Sequence, residues 1–245
     1  MYLAPDFPVM AGGAAALDDV LAARDARQAA QQVLLSAGAN CVVSFSVLAP
    51  GAVKRSPFLD EVFDIGKGRL KHELGRLNIS IYAERLLNHA GGQSLLLAAD
   101  GAADALKAAL IGLEQSHPLG RLWDIDVIDG SGKPLSRPQA GLPPRACLCC
   151  DAPAKECARV RRHSMAQLHE AMQQHYRAYH EMAALGGGMR NALGCRSRAH
   201  AQTRAGGCRQ PRAAPRYDAA DVPPQRRGVG SFFGRMRVWR QPFCA

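Results

Sequence analysis

GRLWDIDV, residues 120–127, decides the fold class and poses the functional question at once. Leu122, Trp123, Ile125 and Val127 suit a pleated, half-buried strand. Asp124 and Asp126 stand two apart in it, so their carboxylates share one face of the strand. Like charges side by side repel, unless the face they occupy is open to water or to a cation. The strand therefore has one face for a core and one for something else.

Working outward, the apolar pattern predicts helices over 17–37, from Ser56-Pro57 to about 77, and over 100–115. The last of these is read with an Asp cap and apolar spacing at 106, 110 and 113. Strands are predicted over 40–51, 78–92 and 93–100, the last two around a Gly-Gly turn. After the opening strand, DGSGKP turns the chain into a short return strand near Leu135-Ser136. A Pro-rich linker, a Cys-rich segment and a polar helix over 164–185 follow. The order predicts an α+β domain with a mixed sheet and flanking helices.

Composition separates two parts of the chain. Of 245 residues 47% are hydrophobic and 21% charged, a globular balance. Residues 1–185 carry 19 Lys+Arg and 19 Asp+Glu, so the net charge of +10 lies wholly in residues 186–245, where all 12 basic residues are Arg. The neutral first part argues against a basic face for nucleic acid, although a zinc-knuckle module with a basic arm is the rival reading. No run of 18 apolar residues predicts a membrane span. The N-terminal stretch lacks a basic region ahead of its small apolar segment, so no signal peptide is read. A cytoplasmic protein with reduced thiols is expected.

Two same-face carboxylates after a Gly-containing turn suit Mg²⁺, which takes oxygen ligands and often only one or two carboxylates plus substrate phosphates. His117, Gly120 and Arg121 lie just upstream and would offer a donor, a flexible backbone and a guanidinium to a triphosphate. The alternative is an exposed strand face with two solvated aspartates. Separately, Cys147-x2-Cys150-x6-Cys157-x5-His163 has the spacing of a closed structural Zn²⁺ site. Reduced cysteines in a core loop are the alternative, and the spare Cys149 allows a second pairing pattern.

SHPLGRLWDIDV, with RDARQ (24–28), VSFSVLAPG (43–51) plus Lys54, SR (136–137) and LPPRACLCC (142–150), resembles the holo-acyl-carrier-protein synthase family of citrate lyase, also called apo-citrate lyase phosphoribosyl-dephospho-CoA transferase. The resemblance spans roughly residues 15–180. It implies a nucleotidyltransferase-like fold and transfer of a phosphoribosyl-dephospho-CoA group. The donor would be 2'-(5''-triphosphoribosyl)-3'-dephospho-CoA and the acceptor a serine of the acyl-carrier (gamma) subunit, with diphosphate leaving. The carrier of malonate decarboxylase is an alternative acceptor. Carried over, Asp124 and Asp126 become Mg²⁺ ligands, Arg121 and Lys54 phosphate contacts, and Arg24 and Arg27 weaker ones. No third carboxylate is identifiable; Glu84 and Asp129 are guesses, and the general base is unassigned.

The Arg-rich tail, residues 186–245, is read as a disordered segment without a function of its own. Its Arg, Ala, Gly and Pro are residues of GC-rich codons. Read one base later, the degenerate codons of AHAQTRAGG (199–207) permit LTPKPGLV, which resembles triphosphoribosyl-dephospho-CoA synthase, the enzyme that makes the donor. The tail is thus read as a frameshifted remnant of a fused second domain.

Overall fold

The computed structural model describes residues 9–192. The tail read from residue 186 begins inside the described residues, where 186–192 continue the last helix rather than starting a disordered segment. The readings made for the rest of the tail, its disorder and its frameshifted origin, lie outside the described residues. The elements are α1 (Leu17–Ser36), β1 (Cys41–Val47), α2 (Pro57–Arg76), β2 (Ser80–His89), β3 (Gly92–Asp100), α3 (Ala103–Ser116), β4 (Trp123–Asp129), the short α4 (Ala154–Arg159) and α5 (Met165–Ala192). This confirms the α+β class.

The four strands form one sheet in the order β2-β3-β1-β4. Every neighbouring pair is antiparallel, which corrects the expected mixed sheet. The parallel relationships exist, but each is between strands that do not touch. The α2 crossover carries the chain past the β3 position to β2, and the α3 crossover carries it past β1 to β4. Two interleaved β-α-β units of this kind make the split arrangement of ferredoxin-like sheets.

Local chemistry explains most boundaries. Ser56 caps α2 by accepting from the Leu59 N–H at 3.1 Å, while its own hydroxyl donates to the Val9 carbonyl. Pro57 follows at the first helical position, where its missing N–H is harmless. At α1, the Asp19 carboxylate accepts from the Ala16 N–H. The expected Asp cap on α3 is not there. Asp100 ends β3 and accepts from the Asn40 side chain, while Ala102 precedes the helix with no side-chain cap. The return strand near Leu135-Ser136 shrinks to one bridge, Ile128 with Pro134, and two backbone bonds, from the Leu135 N–H to the Val127 carbonyl and from the Asp129 N–H to the Lys133 carbonyl. Proline offers no N–H to extend a ladder.

The two sheet faces differ in kind. One carries Val43, Phe45, Leu95, Leu97, Trp123 and Ile125, and packs against α2, α3 and α5 in the main core. Gly66 of α2 lets that helix approach closely. A Cβ there would come within 2.5 Å of Phe45 and 2.7 Å of the Trp123 indole nitrogen, which donates to the Val62 carbonyl one turn earlier. The opposite face is only partly covered. Leu34, Leu35 and Ala30 from the second half of α1 meet Val42, Leu96, Ala98 and Ile128 in a smaller cluster. Beyond them the face turns polar.

β4 is an edge strand, and edge strands with open N–H and C=O groups invite unwanted pairing. Here side chains close the edge. Glu114 accepts from the Ile125 N–H, Lys107 donates to the Ile125 carbonyl at 2.8 Å, and Arg145 donates to the Trp123 carbonyl at 2.7 Å. Among the described residues, no helix is long and apolar enough to cross a membrane.

Candidate active site

The pleat of β4 sends Trp123, Ile125 and Val127 into the core and leaves Asp124 and Asp126 on the polar part of the other face. Register sets their neighbours: Asp124 lies opposite Ser46 and Asp126 opposite Ser44 on β1. Both carboxylate side chains are 56% exposed. The Asp126 pKa is raised, first by the protein crowded around it and then by the Asp124 charge.

Three cations partly offset that repulsion. Lys107 reaches around the sheet edge, its Nζ 3.7 Å from Asp126 Oδ1. Arg145 Nη1 lies 3.6 Å from Asp124 Oδ1. The charge of Arg27 acts on Asp126 from the α1 side. The Lys107 and Arg145 contacts are longer than hydrogen bonds, so the carboxylate oxygens are left able to take other partners.

A cleft of about 260 Å³ opens beside the pair. Asp124, Arg24, Arg27 and Lys54 line it together with Ser46 and Ser94. α1 brings the two arginines on one helical face, and Arg27 donates to the Ser94 hydroxyl at 3.4 Å. Lys54 comes from the loop after β1 and donates to the Ala49 carbonyl. Asp60 also lines the cleft and is held by Arg55 through two hydrogen bonds. A second, apolar cavity of about 430 Å³ shares Leu48 with the cleft and is walled by Pro50, Leu148, Ala158 and Leu168.

Other residues expected at the site have different work. His117 stacks on Trp123 with ring centroids 4.4 Å apart, on the core side of the sheet. Burial, then the Arg69 charge, pushes its pKa down to about 4, and its Nδ1 accepts from the Leu119 N–H. It is a neutral packing residue there, away from the aspartates. Gly120 is needed for close packing, since a Cβ would lie 2.2 Å from the Glu114 carbonyl oxygen. The Arg121 guanidinium donates to the carbonyls of Ala146 and Cys147 and so ties down the Cys-rich segment.

Neither guessed third carboxylate reaches the pair. Glu84 lies on β2, at the opposite edge of the sheet with two strands between it and β4, in an ion pair with Lys71 at 2.6 Å. Asp129 folds the turn after β4, accepting from Ser131 and the Lys133 N–H, which lowers its pKa.

Arg145 and Lys107 were missed. Arg145 stands inside LPPRACLCC, but its reach to Asp124 depends on tertiary folding. Lys107 and Glu114 carried a usable signal: two charged residues seven apart, hence on one stripe of an otherwise apolar helix.

The four zinc-type residues do come together. Cys147, Cys150, Cys157 and His163 place their ligand atoms within 4.8 Å of one another. Cys149 points elsewhere, toward the Gln167 carbonyl.

An open sheet face with paired aspartates beside a basic cleft is equipped for handling phosphorylated substrates. Comparison with known proteins agrees with that equipment. The family profile described as apo-citrate lyase phosphoribosyl-dephospho-CoA transferase matches residues 15–179. Proteins of that name from Escherichia coli O139:H28 (strain E24377A / ETEC) and Shigella boydii serotype 18 are each 39% identical over 173 residues, covering 71% of this chain and 93% of theirs. The chain is an enzyme, a transferase. It belongs to the apo-citrate lyase phosphoribosyl-dephospho-CoA transferase family.

Proposed function

We propose that this chain transfers the 2'-(5''-phosphoribosyl)-3'-dephospho-CoA group from its triphosphate donor to a serine of the apo acyl-carrier subunit of citrate lyase, in the cytoplasm. The serine Oγ–P bond forms as the P–O bond to diphosphate breaks, and the serine proton passes to water. The observation that carries this reading is the convergence of Asp124, Arg24, Arg27 and Lys54, from three separate segments, on one cleft. Three cations there suit the negative charge of a triphosphate. The shared cavity beyond Leu48 offers an apolar wall to the uncharged arm of the donor.

The carboxylate pair fits Mg²⁺. The donors are hard oxygens on one exposed face, and the crowding that raises the Asp126 pKa is relieved by a cation. Bound by Asp124 and Asp126, Mg²⁺ would supply charge stabilisation to the departing diphosphate. The protein's own part is to orient the phosphates with Arg24, Arg27 and Lys54 and to hold the aspartates in register through β1.

The test is incubation with the triphosphoribosyl donor, Mg²⁺ and apo carrier, followed by intact mass of the carrier. The carrier is expected to gain the mass of the prosthetic group, and a carrier with its serine replaced by Ala to gain nothing. A folded enzyme that leaves the carrier unmodified contradicts the proposal. Leu168→Trp is expected to raise KM for the donor while leaving KM for the carrier unchanged.

A further inference from the structure

The segment from Arg145 to His163 is small and has little apolar interior of its own. It begins as a tight hairpin. Ala146 bridges Pro153, the Cys147 N–H bonds the Ala152 carbonyl at 2.7 Å, and the Ala154 N–H bonds the Arg145 carbonyl at 2.9 Å. The hairpin carries Cys147 and Cys150. The six-residue α4 then presents Cys157, and the chain returns with His163 just before α5. Cys150 Sγ lies 3.6 Å from Cys157 Sγ and 3.3 Å from His163 Nε2.

These separations suit one shared ion. Tetrahedral Zn²⁺ with Zn–S near 2.3 Å and Zn–N near 2.0 Å holds its ligand atoms about 3.5–3.8 Å apart. All described cysteines are free thiols, including this trio. Cys147 and Cys157 are buried, at 8% and 4% exposure, and with His163 they also line the apolar cavity beside Leu48. Four protein ligands complete a tetrahedral sphere and leave no open position on the metal itself.

The same segment is interlocked with β4. Arg121 holds the carbonyls of Ala146 and Cys147 at 2.7 and 2.8 Å. In return Arg145, two residues before Cys147, donates to the carbonyls of Arg121 and Trp123. The other guanidinium nitrogen of Arg145 is the one that stands beside Asp124.

We infer that Cys147, Cys150, Cys157 and His163 bind one structural Zn²⁺, and that this clip fixes the hairpin from which Arg145 reaches the Asp124 side of the site. The metal replaces the core that a segment of this size lacks. It takes no part in group transfer, because all four coordination positions are filled by protein.

Metal analysis of the reduced, full-length chain tests this without reference to activity. One zinc per chain is expected. Replacement by Co²⁺ should give the strong visible d–d bands and the thiolate charge-transfer band of a tetrahedral sulfur-rich site. The pair Cys150→Ser with Cys157→Ser should lower zinc from one to none, while Cys149→Ser and Asp124→Asn keep it. Should the double variant fail to fold, chelation of the wild-type chain supplies the second readout: faster proteolysis within residues 142–163, restored by adding Zn²⁺. A folded, reduced wild-type chain that contains no zinc and takes up neither Zn²⁺ nor Co²⁺ overturns the inference. So does a Cys150–Cys157 disulfide in the freshly purified chain, or full zinc retention in the double variant.

Discussion

The two faces of the sheet are built from the same strands by simple alternation, yet they follow opposite rules. The face of Phe45, Leu97, Trp123 and Ile125 is dry and closely packed, and Gly66 is small so that α2 can press against it. The face of Ser44, Ser46, Asp124 and Asp126 is left half open by α1 and keeps two carboxylates beside each other. One face holds the fold together; the other tolerates repulsion that the first must offset. Natural sites often carry such local conflict.

Substitutions on the dry face should register chiefly as stability. Leu97→Ala removes a fully buried side chain and should cost about 2–5 kcal/mol in denaturant unfolding. Gly66→Ala should cost about 1–3 kcal/mol, because Phe45 and Trp123 would have to shift. In both variants the folded fraction should still modify the carrier. A loss of transfer per folded molecule would break the separation of the faces.

Smaller effects sharpen it through pH. His117 on the dry side has a folded pKa near 4, below its unfolded value of about 6.5. Its contribution is fully present above the unfolded value and is lost as pH falls from about 6.5 toward 4. His117→Phe should flatten the loss of Tm across that window. Asp126 has the opposite sign. Its folded pKa is raised, so the protonated form is the stabilised one, and that advantage disappears as pH rises through the folded value. At neutral pH its charge therefore opposes folding. Asp126→Asn should raise Tm slightly at pH 7, with the gain vanishing in acid. A lowered Tm at pH 7 would mean that Lys107 and Arg27 more than compensate the pair.

What was legible in the sequence follows from how local each signal is. The alternation in GRLWDIDV told which residues of β4 face the core, because strand geometry has a period of two. The zinc-type spacing was legible because a hairpin and a short helix bring the ligands together. Arg24, Arg27 and Lys54 were singled out through resemblance as phosphate-binding candidates, and the fold brings them onto one cleft with Asp124. The roles of His117, Gly120 and Arg121 were misread because closeness in sequence to the aspartates was taken for closeness in space. His117 lies across the sheet under Trp123, and Arg121 turns back to the hairpin. The antiparallel pairing was hidden because each crossover passes over a strand that arrives by another route. Arg145 and Lys107 escaped notice because their partners are fixed only once β4 becomes an edge.

The central claim, that the open face carries the chemistry and the dry face only the fold, is tested most directly by two adjacent substitutions on β4. Asp124→Asn and Ile125→Val are assayed side by side for carrier modification by intact mass and for unfolding in denaturant. Asp124→Asn should fold normally and lose transfer by on the order of a hundredfold or more. Ile125→Val should transfer at the wild-type rate while losing about 0.5–1.5 kcal/mol of stability. Wild-type transfer by a folded Asp124→Asn chain would contradict the account.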